Sequence, residues 1–156
     1  MAKVASFLVS GESVKVVVAE VPADADEPIS IEFDETWNLQ SGAREPALNF
    51  LHQRCASFLK EQKIPSVVLK ASAVSRAPAS LALLHSAELR GVIIAAAASQ
   101  AEVKSLSKSA MSRTYGNRKV DEYVNDDAFW DEKTEGAALR KGSREAAMLI
   151  IASRKA

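Results

Sequence analysis

The side chains of this 156-residue chain that could do chemistry fall into one dense basic group and a scatter of single acids and histidines. Lys104, Lys108, Arg113, Arg118 and Lys119 crowd together with Tyr115 among them. Cations at that density suit contacts to successive phosphates, and such contacts make binding salt-sensitive because each releases counterions. Asp121, Glu122, Asp126 and Asp127 follow directly, so a solvated face of mixed charge is the plainer reading. Glu12, Glu20, Asp34 and Glu145 are acids that could supply hard oxygen ligands to a divalent cation if the fold brought them together. His52 and His85 stand far apart without a nucleophile motif and read as ordinary helix residues. Ser10-Gly11-Glu12-Ser13 reads as a turn, not a nucleophile elbow, because no helix follows it. The single Cys55 has no disulfide partner, and no zinc spacing, phosphate loop or dinucleotide fingerprint is present. Phe129-Trp130 is an aromatic pair that either folds back onto a sheet edge or anchors a partner.

The totals bound the possibilities. Twenty Lys and Arg balance twenty Asp and Glu. A whole-chain basic signal for nucleic acid is therefore missing, although a local patch is compatible with it. The length suits one domain, 1–156, with a real core. One cysteine and no secretory pattern lead us to expect a reduced, cytoplasmic setting. The longest uninterrupted apolar run, Val92–Ala98, is short against the ~20 residues of a membrane span, so no membrane partner is expected.

The elements that would position these groups follow from periodicity. Lys3–Val9 and Ser13–Val21 are β-branched runs separated by Ser10-Gly11-Glu12, a hairpin signal. Ile29–Trp37 alternates Ile29, Ile31 and Phe33 against Ser30, Glu32 and Asp34, a third strand with one wet face. Gly42–Lys63 switches to helical spacing, with Pro46 in its first turn. Ser66–Lys70 is a short apolar run of the kind found in a buried parallel strand. Ala79–Ala98 reads as a long Ala-rich helix, Glu102–Leu106 as a fifth strand, and Lys108–Tyr115 as a short helix. Arg118–Trp130 reads as a weaker helix and Asp131–Gly142 as the most mobile segment. Ser143–Ala156 reads as a Ser-capped closing helix. The predicted architecture is α/β: a mixed five-stranded sheet, strands 1–3 antiparallel and strands 4 and 5 parallel, with helices on both faces.

Three segments resemble the RuvC-type Holliday-junction resolvases of the ribonuclease H-like superfamily: the first strand with its Gly-containing turn, the run PSVVLKASAVSRAPASLALLHSAELRGVIIAAAASQ, and the tail GSREAAMLIIASRKA. The resemblance implies a ribonuclease H-like fold. In active members four carboxylates bind two divalent metal ions, one from the first strand, one from the end of the fourth and two from the last helix. The matching positions here are Val9, Lys70, Arg144 and Ala147. Replacing four acids by two cations and two apolar groups changes the local charge from about −4 to about +2, which repels a divalent ion. A slip of one residue would return Glu145 to the site. The expectation is a catalytically inactive relative with no metal or other cofactor. It would bind DNA, RNA or a nucleoprotein complex in a bacterial or phage setting, as a homodimer through the stripe Ala87, Gly91, Ala95 and Ala98. Lys70, Lys108, Arg113, Arg118, Lys119 and Arg144 would carry the anion contacts, unless Lys70 simply reaches solvent from a strand end. The alternative is an active Mg²⁺-dependent endonuclease of branched DNA with relocated acidic ligands.

Overall fold

A computed structural model describes residues 1–155. β1 (Ala2–Ser10) and β2 (Ser13–Val21) form a hairpin whose turn uses Gly11 at φ +59°, and β3 (Ile29–Asn38) continues the antiparallel meander. α1 (Arg44–Glu61) then leads to β4 (Ser66–Lys70), which lies parallel to β1. α2 (Leu81–Ala98) leads to β5 (Glu102–Leu106), parallel to β4. Three short helices follow, α3 (Lys108–Ser112), α4 (Val120–Val124) and α5 (Asp127–Lys133). β6 (Thr134–Gly136), a 3₁₀ turn (Lys141–Ser143) and α6 (Arg144–Ser153) close the chain.

The sheet has six strands in the order β5-β4-β1-β2-β3-β6, one more than the pattern predicts. β6 is only Thr-Glu-Gly and carries no apolar alternation. It pairs parallel to β3 because Gly136, at φ +86°, lets the backbones close up. A Cβ there would lie 2.7 Å from the Ile31 carbonyl oxygen. The centre of the Asp131–Gly142 segment is thus a paired strand, which the sequence pattern does not predict. The single helix expected over Arg118–Trp130 is two, broken at Asn125-Asp126, where the Asp126 carboxylate caps α5 by accepting from the Phe129 amide at 3.2 Å. Phe129 and Trp130 do fold inward, and the Trp130 indole donates to the Tyr123 carbonyl at 2.7 Å.

Both sheet faces are covered. α1 and α2 close one core over Ala5, Phe7, Val16, Val67 and Leu69. α6, with α3 to α5, closes the other over Val4, Val17, Ile29, Ile31 and Val68. β3 therefore has no simple wet face. A bulge between its pairings with Val18 and Ala19 flips the phase, so Ile29 and Ile31 enter one core while Phe33 and Trp37 enter the other. α1 contributes Ala47, Leu51, Cys55 and Leu59, and burial pushes the Cys55 thiol up to about 12, leaving it inert. α2 is capped by Ser80, whose hydroxyl accepts from the Leu83 amide. Its 18 residues, at mean hydropathy 1.5, make it long and apolar enough to cross a membrane by length and composition, which the run-length criterion missed. In this fold Leu89, Ile93, Ala96 and Ala97 pack it onto the sheet side.

α6 is apolar all round, with Ala146 to Ala152 buried, so its start must be fixed by polar ties. The Ser143 hydroxyl does not cap it; instead it donates to Asp34 Oδ1 at 2.5 Å. Arg140 adds its backbone amide (2.8 Å) and its guanidinium (2.8 and 3.2 Å) to the same carboxylate, whose side chain is 5% exposed. Burial alone would raise the Asp34 pKa, but the hydrogen bonds from Arg140 and Ser143 together with the Arg140 charge hold it below its ordinary 3.8.

The Asp34 ties and the end of α1 each give a prediction. Because the folded value lies below the unfolded one, the Asp34 contribution is complete above about pH 4 and fades as pH falls through the folded value. Asp34→Ala, which takes the acceptor from the buried Ser143 hydroxyl and leaves it only the Arg140 contact at 3.3 Å, should cost about 2 kcal/mol at neutral pH by urea denaturation, a deficit that shrinks in acid. At the other end of α1, Lys63 sits at φ +54° in a Schellman ending, with Ile64 N–H on the Leu59 carbonyl and Lys63 N–H on the Lys60 carbonyl. Lys63→Gly removes the left-handed strain and should raise the urea midpoint by up to about 1 kcal/mol of stability.

Candidate functional site

β1 and β4 are parallel neighbours, in register at Phe7 and Leu69, so their C-terminal ends open side by side. Open α/β sheets place ligands at such strand ends. Here the ends frame a cleft of about 540 Å³. Phe7 to Ser10 form one wall and Leu69 to Ala73 another. Leu83, Arg90, Ile93 and Ile94 of α2 form a third, and Glu145 from the first turn of α6 enters last.

Lys70 is the final residue of a strand buried on both faces, so its stem is held while its ammonium reaches the cleft. There it donates to Glu145 Oε2 at 3.3 Å, the two side chains being 32% and 27% exposed. Glu145 lies where the helix dipole favours a carboxylate. Val9 is half-buried in the β1 wall. Arg144 is not in the cleft. It turns to the Val124 carbonyl (2.9 Å) and to Asp127 (2.7 Å), and holds the Asp127 carboxyl below the usual carboxylate range. The expected sharing of one site by Lys70 and Arg144 is thus wrong; successive helical residues diverge by about 100°, and the neighbour Glu145 faces Lys70. Ala147 is fully buried in the core rather than at the cleft.

The four acids of the alternative reading do not converge. Glu12 pairs with Arg44 at 3.0 Å, Asp34 with Arg140, and Glu145 with Lys70, while Glu20 stands opposite Lys3 near the far end of the hairpin. No group of three or more His, Cys, Asp or Glu side chains that could hold a metal ion exists among the described residues. Of these four acids only Glu145 lines the cleft, where it faces the Lys70 ammonium. One carboxylate already paired with an ammonium is not a ligand set for two hard cations.

The basic region divides. Lys108, Arg113 and Lys119 are exposed and form no ion pair among the described residues; Arg113 donates to the Ser109 hydroxyl at 2.6 Å beside a shallow depression edged by Gly116 and Asn117. Arg118 is committed inward, with Asp126 at 3.2 Å, the Glu122 carbonyl at 3.3 Å and the Tyr123 ring beneath its guanidinium, so it is a brace rather than an outward contact. Lys104 donates to the Ser153 carbonyl.

Sequence reasoning missed Arg90. Its guanidinium donates through Nε to the Ser72 hydroxyl (3.3 Å) and through Nη1 to the Ser86 hydroxyl (3.2 Å), and it has no carboxylate partner among the described residues. The available signal was a lone arginine in the middle of an Ala-rich helix.

No protein-family model and no curated protein matches the chain. Solved structures do. Thermus thermophilus RuvC superposes with a TM-score of 0.73 at 11% identity, covering 96% of this chain and 92% of that one. T. thermophilus RuvC in complex with Holliday junction substrate gives 0.71 at 12% identity, over 97% and 92%. The yeast mitochondrial Holliday junction resolvase Ydc2 gives 0.66 at 11% identity, over 99% of this chain and 78% of that one. The chain thus has the RuvC-like form of the ribonuclease H-like fold along nearly its whole length.

Proposed function

We propose that this protein is a non-catalytic nucleic-acid-binding member of the resolvase fold, acting on branched or unpaired DNA. The observation that carries the reading is the Lys70–Glu145 pair, which satisfies the cleft's one carboxylate internally. Cleavage by the two-metal route needs several carboxylates to neutralise the ions before water can be activated. A DNA partner is suggested by the junction-bound T. thermophilus structure. Exposed Lys108, Arg113 and Lys119, without ion-pair partners among the described residues, and Lys70 at the cleft mouth are the candidate phosphate contacts.

The outer face of α2 supports a second element of the reading. Leu81 and Leu84 are 66% and 63% exposed, and the stripe Ala87, Gly91, Ala95 and Ala98 beside them is open. A Cβ on Gly91 would meet nothing within 4 Å, so another helix has room to approach closely. We assign this face to a second copy of the chain.

Labelled four-way junction, duplex and single-stranded DNA, incubated with Mg²⁺ or Mn²⁺ and then with chelator, test the proposal. Salt-sensitive binding without chelator-sensitive cutting is the expected result. Lys108→Gln and Lys119→Gln should each lower the slope of log affinity against log salt by about 1. Metal-dependent cleavage that disappears in Glu145→Ala would reject the non-catalytic reading, and unchanged mobility of all three DNAs at low salt would reject nucleic acid as the partner. Leu84→Glu should convert a dimer to a monomer in size-exclusion chromatography.

A further inference from the structure

We infer that the cleft between β1, β4 and α2 is a subsite for one unpaired nucleotide of a bound strand, with Arg90 gripping its phosphodiester and Leu83 and Ile94 flanking its base. The assignment rests on the nucleic-acid reading above and adds to it a residue, Arg90, and a geometry.

The charge in the cleft is the first argument. Lys70 and Glu145 cancel, and Arg90 is left over, so the lining carries a net +1. Arg90 is half-buried, and its guanidinium is held by two neutral hydroxyls instead of a carboxylate. A partly desolvated cation without a counter-ion is costly unless a ligand supplies one. Two of its five N–H donors are fixed by Ser72 and Ser86, which presets the plane of the fork while leaving donors for an anion. The Ser10 hydroxyl on the opposite wall is a further polar group in the lining.

The size of that charge discriminates between anions. A phosphodiester carries a single negative charge and matches +1. A terminal phosphate carries about −1.5 to −2 at pH 7 and would leave the site over-neutralised beside the Glu145 carboxylate. The matched anion is therefore the internal linkage of a strand rather than a free mononucleotide.

Shape is the second argument. The cleft's 540 Å³ is in the range of small-molecule sites, and the wall next to Arg90 is aliphatic. Leu83 and Ile94 are 39% and 44% exposed on that wall. A base lifted out of its stack is commonly held between apolar side chains, whereas a paired base cannot leave the duplex without an unstacking cost. The same wall therefore favours unpaired strands over duplex.

Fluorescence anisotropy with the full chain tests the assignment. The probes are a short oligothymidylate, a strand of equal length made of abasic sugar-phosphate units, thymidine monophosphate and inorganic phosphate. Arg90→Gln should weaken oligothymidylate binding about tenfold or more. Leu83→Ala should weaken oligothymidylate binding and leave the abasic strand unaffected. Ile94→Glu, at an exposed position, should lower binding of both strands, and it keeps the test decisive should Arg90→Gln fail to fold. If the strand binds and neither Arg90→Gln nor Ile94→Glu changes its affinity, the subsite is wrong while the nucleic-acid reading stands. If no strand binds, both fall. Binding of thymidine monophosphate or inorganic phosphate as tight as that of the strand would overturn the phosphodiester assignment.

Discussion

The start of α6 is the constraint on which the rest of this molecule depends. The helix runs between the sheet and the three small helices with seven consecutive buried apolar residues, so packing alone would permit it to slide or rotate. Three consecutive side chains at its beginning prevent this. Ser143 ties to Asp34 on β3, Arg144 to the Val124 carbonyl and Asp127 around α4 and α5, and Glu145 to Lys70 at the end of β4. Successive helical positions point about 100° apart, so neighbours in sequence reach three different parts of the fold. The depth and rotation of α6 set where Glu145 enters the cleft, and with it the charge found there. Surface ion pairs contribute little to stability one by one. Here their worth is positional.

This arrangement explains where sequence reading succeeded and where it stopped. The hairpin, both long helices and β4 were legible because each buries a continuous periodic face, whereas the edge strand β5, with only Leu106 buried, was legible as a short run closing the crossover after α2. β6 was not, since three residues held by a close backbone approach at Gly136 leave no hydrophobic period to detect. The bulge in β3 was equally silent. Its local pattern of Ile29, Ile31 and Phe33 is regular, and only pairing with β2 shows that Phe33 belongs to the opposite core. At the cleft, Lys70 was found because strand ends are predictable. Arg144 was misplaced by one position because an apolar helix without a polar face offers no phase from which to choose between Arg144 and Glu145. Arg90 was overlooked because its meaning lies in the absence of a nearby acid among the described residues, which is a property of the fold rather than of spacing.

Superposition over nearly the full chain on resolvases of known structure, at 11–12% identity, means that one fold is built here from largely different side chains. The fold retains burial. Apolar faces on β1 and β4, Leu89, Ile93, Ala96 and Ala97 where α2 meets the sheet, and an apolar α6 build the architecture. None of these positions specifies what enters the cleft, and function resides in the few side chains at its mouth.

Those side chains change the kind of ion the cleft can hold. A carboxylate cluster attracts dications and leaves an approaching phosphate dependent on them. Here the ammonium of Lys70 lies 3.3 Å from the Glu145 carboxylate and is fixed to the chain, so it cannot be removed by a chelator or exchanged for another ion. It also cannot lower the pKa of a bound water or bridge two oxygens as a divalent metal can. The one acid of the lining is thus balanced from within the chain, and Arg90 is left to set the sign of the field across the cleft. Under the proposed reading this is the balance a binding cleft needs: a field that draws a phosphodiester in, without a cluster of carboxylates to hold the ions that would cleave it.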